Sequence, residues 1–195
     1  MSALAALAIL SALAKIAAGM LAADFLSGVF HWFEDRYGNP DWPILGHTIR
    51  QNQQHHHTPH SFLTGTFLSR NREVFVVSLL VLFGFWAGGL LNAFTLSMVI
   101  FGMFANEIHA AAHKSPKENG RLITYLQKTG IIQSHAHHAA HHRQGKDTHF
   151  CVMTNYMNPV LERIQFFRIL EWIVKKTAGQ APRFDDSVNP KYRAT

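Results

Sequence analysis

Two long apolar stretches constrain this chain more than any other feature of its sequence. Residues 2–33 carry only Lys15 and Asp24 as charged side chains, and residues 74–105 carry none. About 20 apolar residues suffice for a helix to cross a bilayer. The first stretch lacks a basic start and an obvious cleavage site, so residues 4–30 are interpreted as a retained membrane span and not as a signal peptide.

The second apolar stretch is too long for a single crossing. Gly88, Gly89 and Asn92 lie near its centre, where a turn would divide it into a helical hairpin. Three crossings are therefore predicted. Thirteen of the 18 Lys and Arg residues follow Phe104, and positive charge near membrane spans favours the cytosolic side. This arrangement places every histidine on the cytosolic face.

The remainder of the chain predicts a helical cap on these spans. Pro159 opens a run to Val174 whose apolar residues lie mostly on one face, which predicts a helix along the membrane surface or, alternatively, one packed on a soluble core. The fold class is thus an all-α membrane protein with about three transmembrane helices, a cytosolic histidine-rich cap and an interfacial C-terminal helix. Residues 1–180 are assigned to one membrane-embedded domain and 181–195 to a solvated tail.

Charge and cysteine content exclude several classes of protein. The single cysteine, Cys151, cannot form an intramolecular disulfide. The net charge of +6 is not accompanied by any nucleic-acid-binding motif, so no nucleic-acid partner is expected. Fourteen histidines against 12 Asp plus Glu indicate instead a binding site for transition metals.

The histidines form four clusters. His31 and Asp35 are spaced i to i+4 at the end of the first span, as are His109 and His113 at the end of the second stretch, so each pair shares a helical face. Neighbours on a helix point about 100° apart, so His55 and His56 need not share one metal. In the last cluster, His138 can pair with His141 or His142, and His137 with His141. Several histidines converging from different segments suit a dinuclear centre, whereas a surface proton buffer or metal-storage tract has no reason to lie at span ends.

These clusters resemble the lipid desaturase family, which includes plasmanylethanolamine desaturase, its bacterial relative in carotenoid light signalling and a plant plastid palmitate desaturase. The resemblance covers about residues 20–183. It rests on Ala23 through Gly38, His55-His56-x-x-Pro59, Asn106-x-x-His109-x-x-x-His113, His137-His138-x-x-His141-His142, and Phe150-Cys151 through Glu162.

The resemblance implies a set of metal ligands. They are His31, Asp35, His55, His56, His109, His113, His137, His138, His141 and His142. His137 is included because it matches the animal and bacterial form of the pattern, whereas the plant form has another residue there. Asp24 and Asn106 are predicted to orient ligands or to hold a water molecule beside them. His47, His57, His60, His135 and His149 match no position and are interpreted as loop or supporting residues.

The implied activity is desaturation of a phospholipid-linked chain by two iron ions and dioxygen, with no catalytic residue beyond the ligands. Electrons would come from a donor such as cytochrome b5 or ferredoxin with its reductase. A 1-alkyl ether substrate giving a vinyl ether is favoured over an acyl chain, because His137 follows the animal and bacterial form. A hydroxylase, a membrane metal transporter and a metal sensor remain alternatives, although a transporter should have ligands inside its spans.

Overall fold

The structure, a computed structural model, describes residues 2–143 and 147–183, which contain helices and no strand. A 3-10 turn covers Pro59–Leu63. The helices are α1 (Ala3–Arg36), α2 (Gly46–His57), α3 (Phe67–Ala87), α4 (Ala93–Met103), α5 (Ala105–His113), α6 (Pro116–Lys128), α7 (His135–Arg143), α8 (Met157–Arg163) and α9 (Phe166–Ala178). Of the predicted tail, residues 184–195 lie outside the described residues.

Helix α1 is the longest helix of the described chain, and many of its apolar side chains are exposed. Its first turn is capped by Ser2, whose Oγ accepts a hydrogen bond from the Ala5 amide at 3.2 Å. Leu4 and Leu10 are 80% and 62% exposed, so this half is not the buried core helix of a soluble protein. By length and composition, α1 is the one helix of the described chain that can cross a membrane by itself.

Helices α3 and α4 form the hairpin that the sequence predicts. Helix α3 ends at Ala87 with Gly88 as its C-cap, Gly89 has a φ of 65°, and Asn92 caps α4. The Asn92 side chain accepts from the Phe94 and Thr95 amides, while the Thr95 hydroxyl accepts from the Asn92 amide, which is a reciprocal capping box.

Helix α4 continues into α5 through a 47° bend, and the two together would be long enough for a second span. Helix α3 by itself does not combine the length and the apolar composition that a membrane span needs. An all-helical fold with a membrane-type helix is therefore observed, whereas the number of crossings stays a prediction.

Helices α1 and α4 cross closely at Gly19. A Cβ atom at this position would overlap the Ser97 Oγ and the Phe94 carbonyl oxygen. At the same crossing, the Ser97 hydroxyl of α4 donates a hydrogen bond of 3.2 Å to the Ile16 carbonyl of α1. Small residues and hydroxyl contacts of this kind are typical of helices that pack in a membrane.

A buried extended segment, residues 150–154, connects the cap to α1. The Asp24 carboxylate accepts from the Met153 amide at 2.9 Å and from the Thr154 hydroxyl at 2.5 Å. The Asn158 side chain accepts from the Cys151 amide and donates to its carbonyl. Side chains thus satisfy backbone groups that have no strand partner, and the segment is fixed against the helix that carries His31.

The C-terminal run is two helices and not the single helix opened by Pro159. It breaks at Gln165, whose φ of 54° is left-handed and cannot continue a right-handed helix. Phe167 of α9 packs with Trp32 and Phe150, whereas Trp172 remains 61% exposed. The Arg36 guanidinium of α1 donates to Glu171 of α9 at 2.6 Å and to the Arg183 carbonyl at 2.8 Å. These contacts hold the start of the predicted tail against the domain.

Candidate metal centre

Nine of the ten predicted ligands converge into two compact groups at the cap end of α1. In each group, the potential ligand atoms all lie within 4.8 Å of one another. The five-histidine group consists of His55, His109, His113, His138 and His142, and the aspartate group of His31, Asp35, His56 and His141.

The five-histidine group is centred on His138 of α7. Its Nε2 atom lies 3.0 Å from the Nε2 atoms of both His109 and His113, and 3.1 Å from that of His142. Two neutral imidazoles that both present a lone pair repel each other at this distance. Nitrogen atoms bound to one metal at about 2.1 Å each would have similar separations. The spacing therefore suits a shared cation.

The aspartate group is built around one carboxylate. Asp35 Oδ1 lies 3.0 Å from His56 Nε2, and Asp35 Oδ2 lies 3.4 Å from the Nε2 atoms of His31 and His141. Helix α1 supplies both His31 and Asp35 from one face, since they are one helical turn apart. Neutral imidazole with a carboxylate is a donor set that suits iron and other first-row metals.

The two groups lie side by side. The ring centroids of His55 and His56, which belong to different groups, are 4.3 Å apart, and those of His56 and His142 are 5.0 Å apart. Consecutive residues at the end of α2 thus point into different groups, as the helical spacing allowed. The arrangement is that of two adjacent metal positions.

Backbone carbonyls set the orientation of three ligands. His31 Nδ1 lies 3.0 Å from the Phe150 carbonyl oxygen and His141 Nδ1 lies 2.7 Å from that of Thr148. His55 Nδ1 likewise contacts the Asn52 carbonyl. A carbonyl only accepts hydrogen bonds, so each Nδ1 carries the proton and each Nε2 presents its lone pair to the group.

Buried atoms without hydrogen bonds show that these residues fit a metal. The Nε2 atoms of His31, His55 and His141 and the Oδ2 atom of Asp35 are buried and, among the described residues, have no hydrogen-bond partner. Each such group costs about 1–3 kcal/mol if it stays unsatisfied. Four of them facing two common centres are explained by cations at those centres.

The protonation state of the cap histidines agrees with this fit. Burial, followed by neighbouring histidines, lowers the pKa of His55 and of His138 well below the ordinary value of 6.5. The same causes lower the pKa of His142. These rings are neutral at pH 7, and neutral imidazole is the form that binds metal.

Three predicted residues lie outside both groups. His137 Nε2 is 3.1 Å from the Asn158 amide nitrogen, and its ring faces His149 with centroids 5.0 Å apart. Asn106 donates to the Arg70 carbonyl at 2.5 Å, and among the described residues its side chain makes no hydrogen bond to a candidate ligand. Asp24 acts at a distance, because it fixes the segment whose Phe150 carbonyl orients His31.

Two other residues that position the ligands, Asn52 and Glu162, were not identified from the sequence. Asn52 donates from its side chain to Asp35 Oδ1 at 2.8 Å. Glu162 contacts the Thr148 hydroxyl and accepts from the His149 amide at 3.2 Å, which fixes the loop that orients His141. The position of Asn52, three residues before His55, was a weak sequence signal for its supporting role. The backbone carbonyls that orient His31, His55 and His141 leave no signal in the sequence.

The chain is similar in sequence to proteins that are named desaturases. A family model described as the lipid desaturase domain matches residues 20–185. The chain is 33% identical over 189 residues to plasmanylethanolamine desaturase 1 of Mus musculus, covering 88% of this chain and 68% of that protein.

Two further relatives are named as fatty acid desaturases. The "Probable fatty acid desaturase" of Acanthamoeba polyphaga mimivirus is 33% identical over 180 residues, with 91% of this chain and 89% of that protein covered. "Fatty acid desaturase 4-like 2, chloroplastic" of Arabidopsis thaliana is 29% identical over 172 residues, with 85% and 61% covered. No solved structure matches the chain significantly.

Proposed function

Because the chain belongs to the lipid desaturase family, we propose that it is a membrane-bound, dioxygen-dependent di-iron enzyme that introduces a double bond into a phospholipid-linked chain. The observation that carries the proposal is the pair of adjacent, buried ligand groups with eight histidines and one aspartate. Such a centre suits redox chemistry, which zinc cannot perform.

Each of the two ligand groups would bind one metal ion. The five-histidine group would hold one iron and the aspartate group the other, with Asp35 supplying the one negative charge among the ligands. Two irons would supply the oxidising power to remove hydrogen from an unactivated C–H bond with dioxygen as oxidant. Burial of His55, His138 and His141 keeps bulk water away from the centre.

The balance of the reaction requires a second source of electrons. Two hydrogens from the lipid, two external electrons and two protons reduce one dioxygen to two waters. We assign these electrons to a separate donor such as cytochrome b5 or ferredoxin with its reductase. Exposed Lys117, Arg121, Lys128 and Arg143 give the cap a basic surface that suits an acidic partner.

The proposed membrane arrangement has α1 and the α3–α4 hairpin as three crossings, with both metal groups on the cytosolic face. The excess of Lys and Arg after Phe104 supports this orientation. Helix α9 would lie along the membrane surface, because its exposed Ile169, Trp172 and Ile173 accompany Lys175 and Lys176 at its end.

The favoured substrate is a 1-alkyl ether phospholipid of the plasmanylethanolamine type, and the product its vinyl ether. His137 and the similarity to the mouse relative named plasmanylethanolamine desaturase 1 support this choice. The plastid relative named a fatty acid desaturase makes an acyl chain the alternative.

The test is mass spectrometry of phospholipids from cells that express the protein and are fed alkyl ether lipid, with and without air. An air-dependent loss of two mass units in an acid-labile product is expected. His138→Ala and His109→Ala should abolish it while the protein still inserts in the membrane, whereas exposed His57→Ala should not.

The other outcomes separate the alternatives. An acid-stable product would assign an acyl chain, and a gain of oxygen would indicate a hydroxylase. An unchanged lipid profile together with bound metal would contradict the enzyme proposal and favour a metal sensor.

A further inference from the structure

A polar cavity lies beside the five-histidine group, and none of its lining residues belongs to either ligand group. Its volume is about 190 Å³, and its walls come from α2, the 3-10 turn and the start of α3. Five of the lining residues have hydroxyl or amide side chains: Gln51, Gln54, Ser61, Thr64 and Ser69.

Several of these polar groups are available to a ligand. Within the described part of the chain, no hydrogen bond engages the side-chain amides of Gln51 and Gln54 or the hydroxyl of Ser61. By contrast, the Thr64 hydroxyl donates to the Ser61 carbonyl at 2.8 Å and the Ser69 hydroxyl to the Thr66 carbonyl at 2.9 Å. A cavity with unengaged amide and hydroxyl groups suits a polar molecule with several acceptors.

The cavity also has a fixed cation in its wall. Arg70 donates to Glu107 at 2.9 and 3.3 Å and to the Gly65 carbonyl. A guanidinium has five N–H donors, of which these contacts use three, so two remain for a ligand. Because Glu107 balances the charge of Arg70, the site carries little net charge and suits a phosphodiester that is accompanied by its own cation better than free phosphate.

The position of the cavity links it to the metal centre. Phe62, which lines the cavity, has its ring centroid 4.8 Å from that of His109 and 5.8 Å from that of His55. One aromatic ring thus separates the cavity from two metal ligands. A lipid held here by its head would bring the carbons nearest its glycerol toward the metals.

The size of the cavity selects the part of a lipid that it can hold. Drug-sized ligands occupy pockets of roughly 300–1,000 Å³, so about 190 Å³ accommodates a compact headgroup but not a long alkyl chain. The chain would have to remain among the exposed apolar surfaces of the helices.

We propose that this cavity binds the glycerophosphodiester headgroup of the lipid substrate, with the Gln51, Gln54 and Ser61 side chains and Arg70 as its contacts. The assignment rests on the proposed function for the identity of the ligand. The cavity would determine which phospholipid headgroups are accepted, whereas the metal groups would act on the chain.

Direct binding tests this assignment independently of turnover. The full-length protein, purified with its metal in a phosphate-free maltoside detergent, is titrated with glycerophosphoethanolamine, glycerophosphoglycerol or inorganic phosphate, and binding is followed by ligand-observed NMR. One of the glycerophosphodiesters should bind more tightly than phosphate, and the one that binds identifies the preferred head. Gln51→Leu combined with Ser61→Ala should weaken binding about tenfold through the loss of two hydrogen bonds.

The control variant is Gln180→Leu, which makes the same chemical change at an exposed position outside the cavity. It should bind as the wild type does, and metal content should be equal in all three proteins. In the lipid assay, the double variant should raise KM about tenfold. Equal binding by wild type and double variant, or phosphate binding as tight as the diesters, would overturn the assignment.

Failure of the proposed function gives a different result. A wild type that binds a glycerophosphodiester in the cavity but changes no lipid would contradict the desaturase and leave the headgroup site standing. A wild type that desaturates lipid, with KM unchanged in the double variant, would contradict the headgroup site alone.

Discussion

At the scale of single residues, the role of each histidine is decided by what its second nitrogen contacts. His31, His55 and His141 each have Nδ1 against a backbone carbonyl, which directs Nε2 toward a metal group. His137 has the same side chain on the same helix as His138, but its Nε2 faces the Asn158 amide. Supporting contacts therefore separate ligands from other histidines more clearly than sequence spacing does.

Asn52 provides the sharpest test of such a supporting contact. Its amide donates to Asp35 Oδ1 at 2.8 Å, so Asn52→Ala should free the carboxylate to rotate and weaken metal binding about 10–100-fold. Competition titration of the purified protein with a chelator measures this affinity. Asn106→Ala is the matched control, because the hydrogen bond that the Asn106 amide makes within the described residues goes to the Arg70 carbonyl and not to a candidate ligand. Equal losses in the two variants would show that Asn52 has no particular role.

The pH dependence of the metal-free protein follows from the buried histidines. The pKa values of His55 and His138 are lowered well below 6.5, so below about pH 6.5 the unfolded chain binds protons that the folded chain does not. The free energy of unfolding should therefore fall with decreasing pH, by up to about 1.4 kcal/mol per pH unit for each of these histidines. Thermal unfolding of the chelator-treated protein between pH 8 and 5 measures this change in stability. A stability that does not change over this pH range would contradict the assignment of His55 and His138 as buried, neutral side chains.

At the scale of elements, α1 combines a membrane-type helix with two of the candidate metal ligands. Its crossing with α4 at Gly19 and its contact with residues 150–154 through Asp24 fix its position along the helix axis. His31 and Asp35 follow on the same rigid helix. Packing in the apolar half therefore determines where the ligands of the cap half are placed.

Glycine substitutions test this coupling. Gly19→Ala should destabilise the protein by about 1–3 kcal/mol, because the added methyl group overlaps atoms of α4. Gly84→Ala is the matched control in α3, where a Cβ meets nothing within 4 Å, and it should change the stability by no more than about 1 kcal/mol. Thermal unfolding midpoints in detergent compare the two. Similar midpoints would show that the crossing is not tightly packed.

The sequence predicts local pairs well and tertiary partners poorly. The i to i+4 spacing correctly groups His31 with Asp35 and His109 with His113, because helical geometry alone decides it. His138 and His142 belong to one group and His141 to the other. This distribution depends on which helices surround α7, so the spacing of the three histidines along the sequence could not predict it. The break at Gln165 was missed because the apolar pattern continues across it.

At the scale of the whole molecule, a helical hairpin returns the chain to the face from which it entered. His31 precedes the α3–α4 hairpin and His109 follows it, yet their ring centroids are 5.5 Å apart. A single crossing between them would have separated the two residues by a membrane. The metal centre itself therefore requires an even number of crossings between α1 and α5, and this requirement holds whether the hairpin spans the bilayer or only enters it.

Labelling of single introduced cysteines decides between these two cases. The native Cys151 is fully buried, so it should not react with an impermeant maleimide on intact membranes. With three crossings, Ser2→Cys and Leu90→Cys should react from one side and Lys117→Cys from the other. The apolar part of α3, Val74–Ala87, is only about 21 Å long at 1.5 Å per residue, against about 30 Å of hydrocarbon. If Leu90→Cys reacts only from the side of Lys117→Cys, the hairpin is re-entrant and the three-crossing arrangement is wrong, although both metal groups still lie on one face.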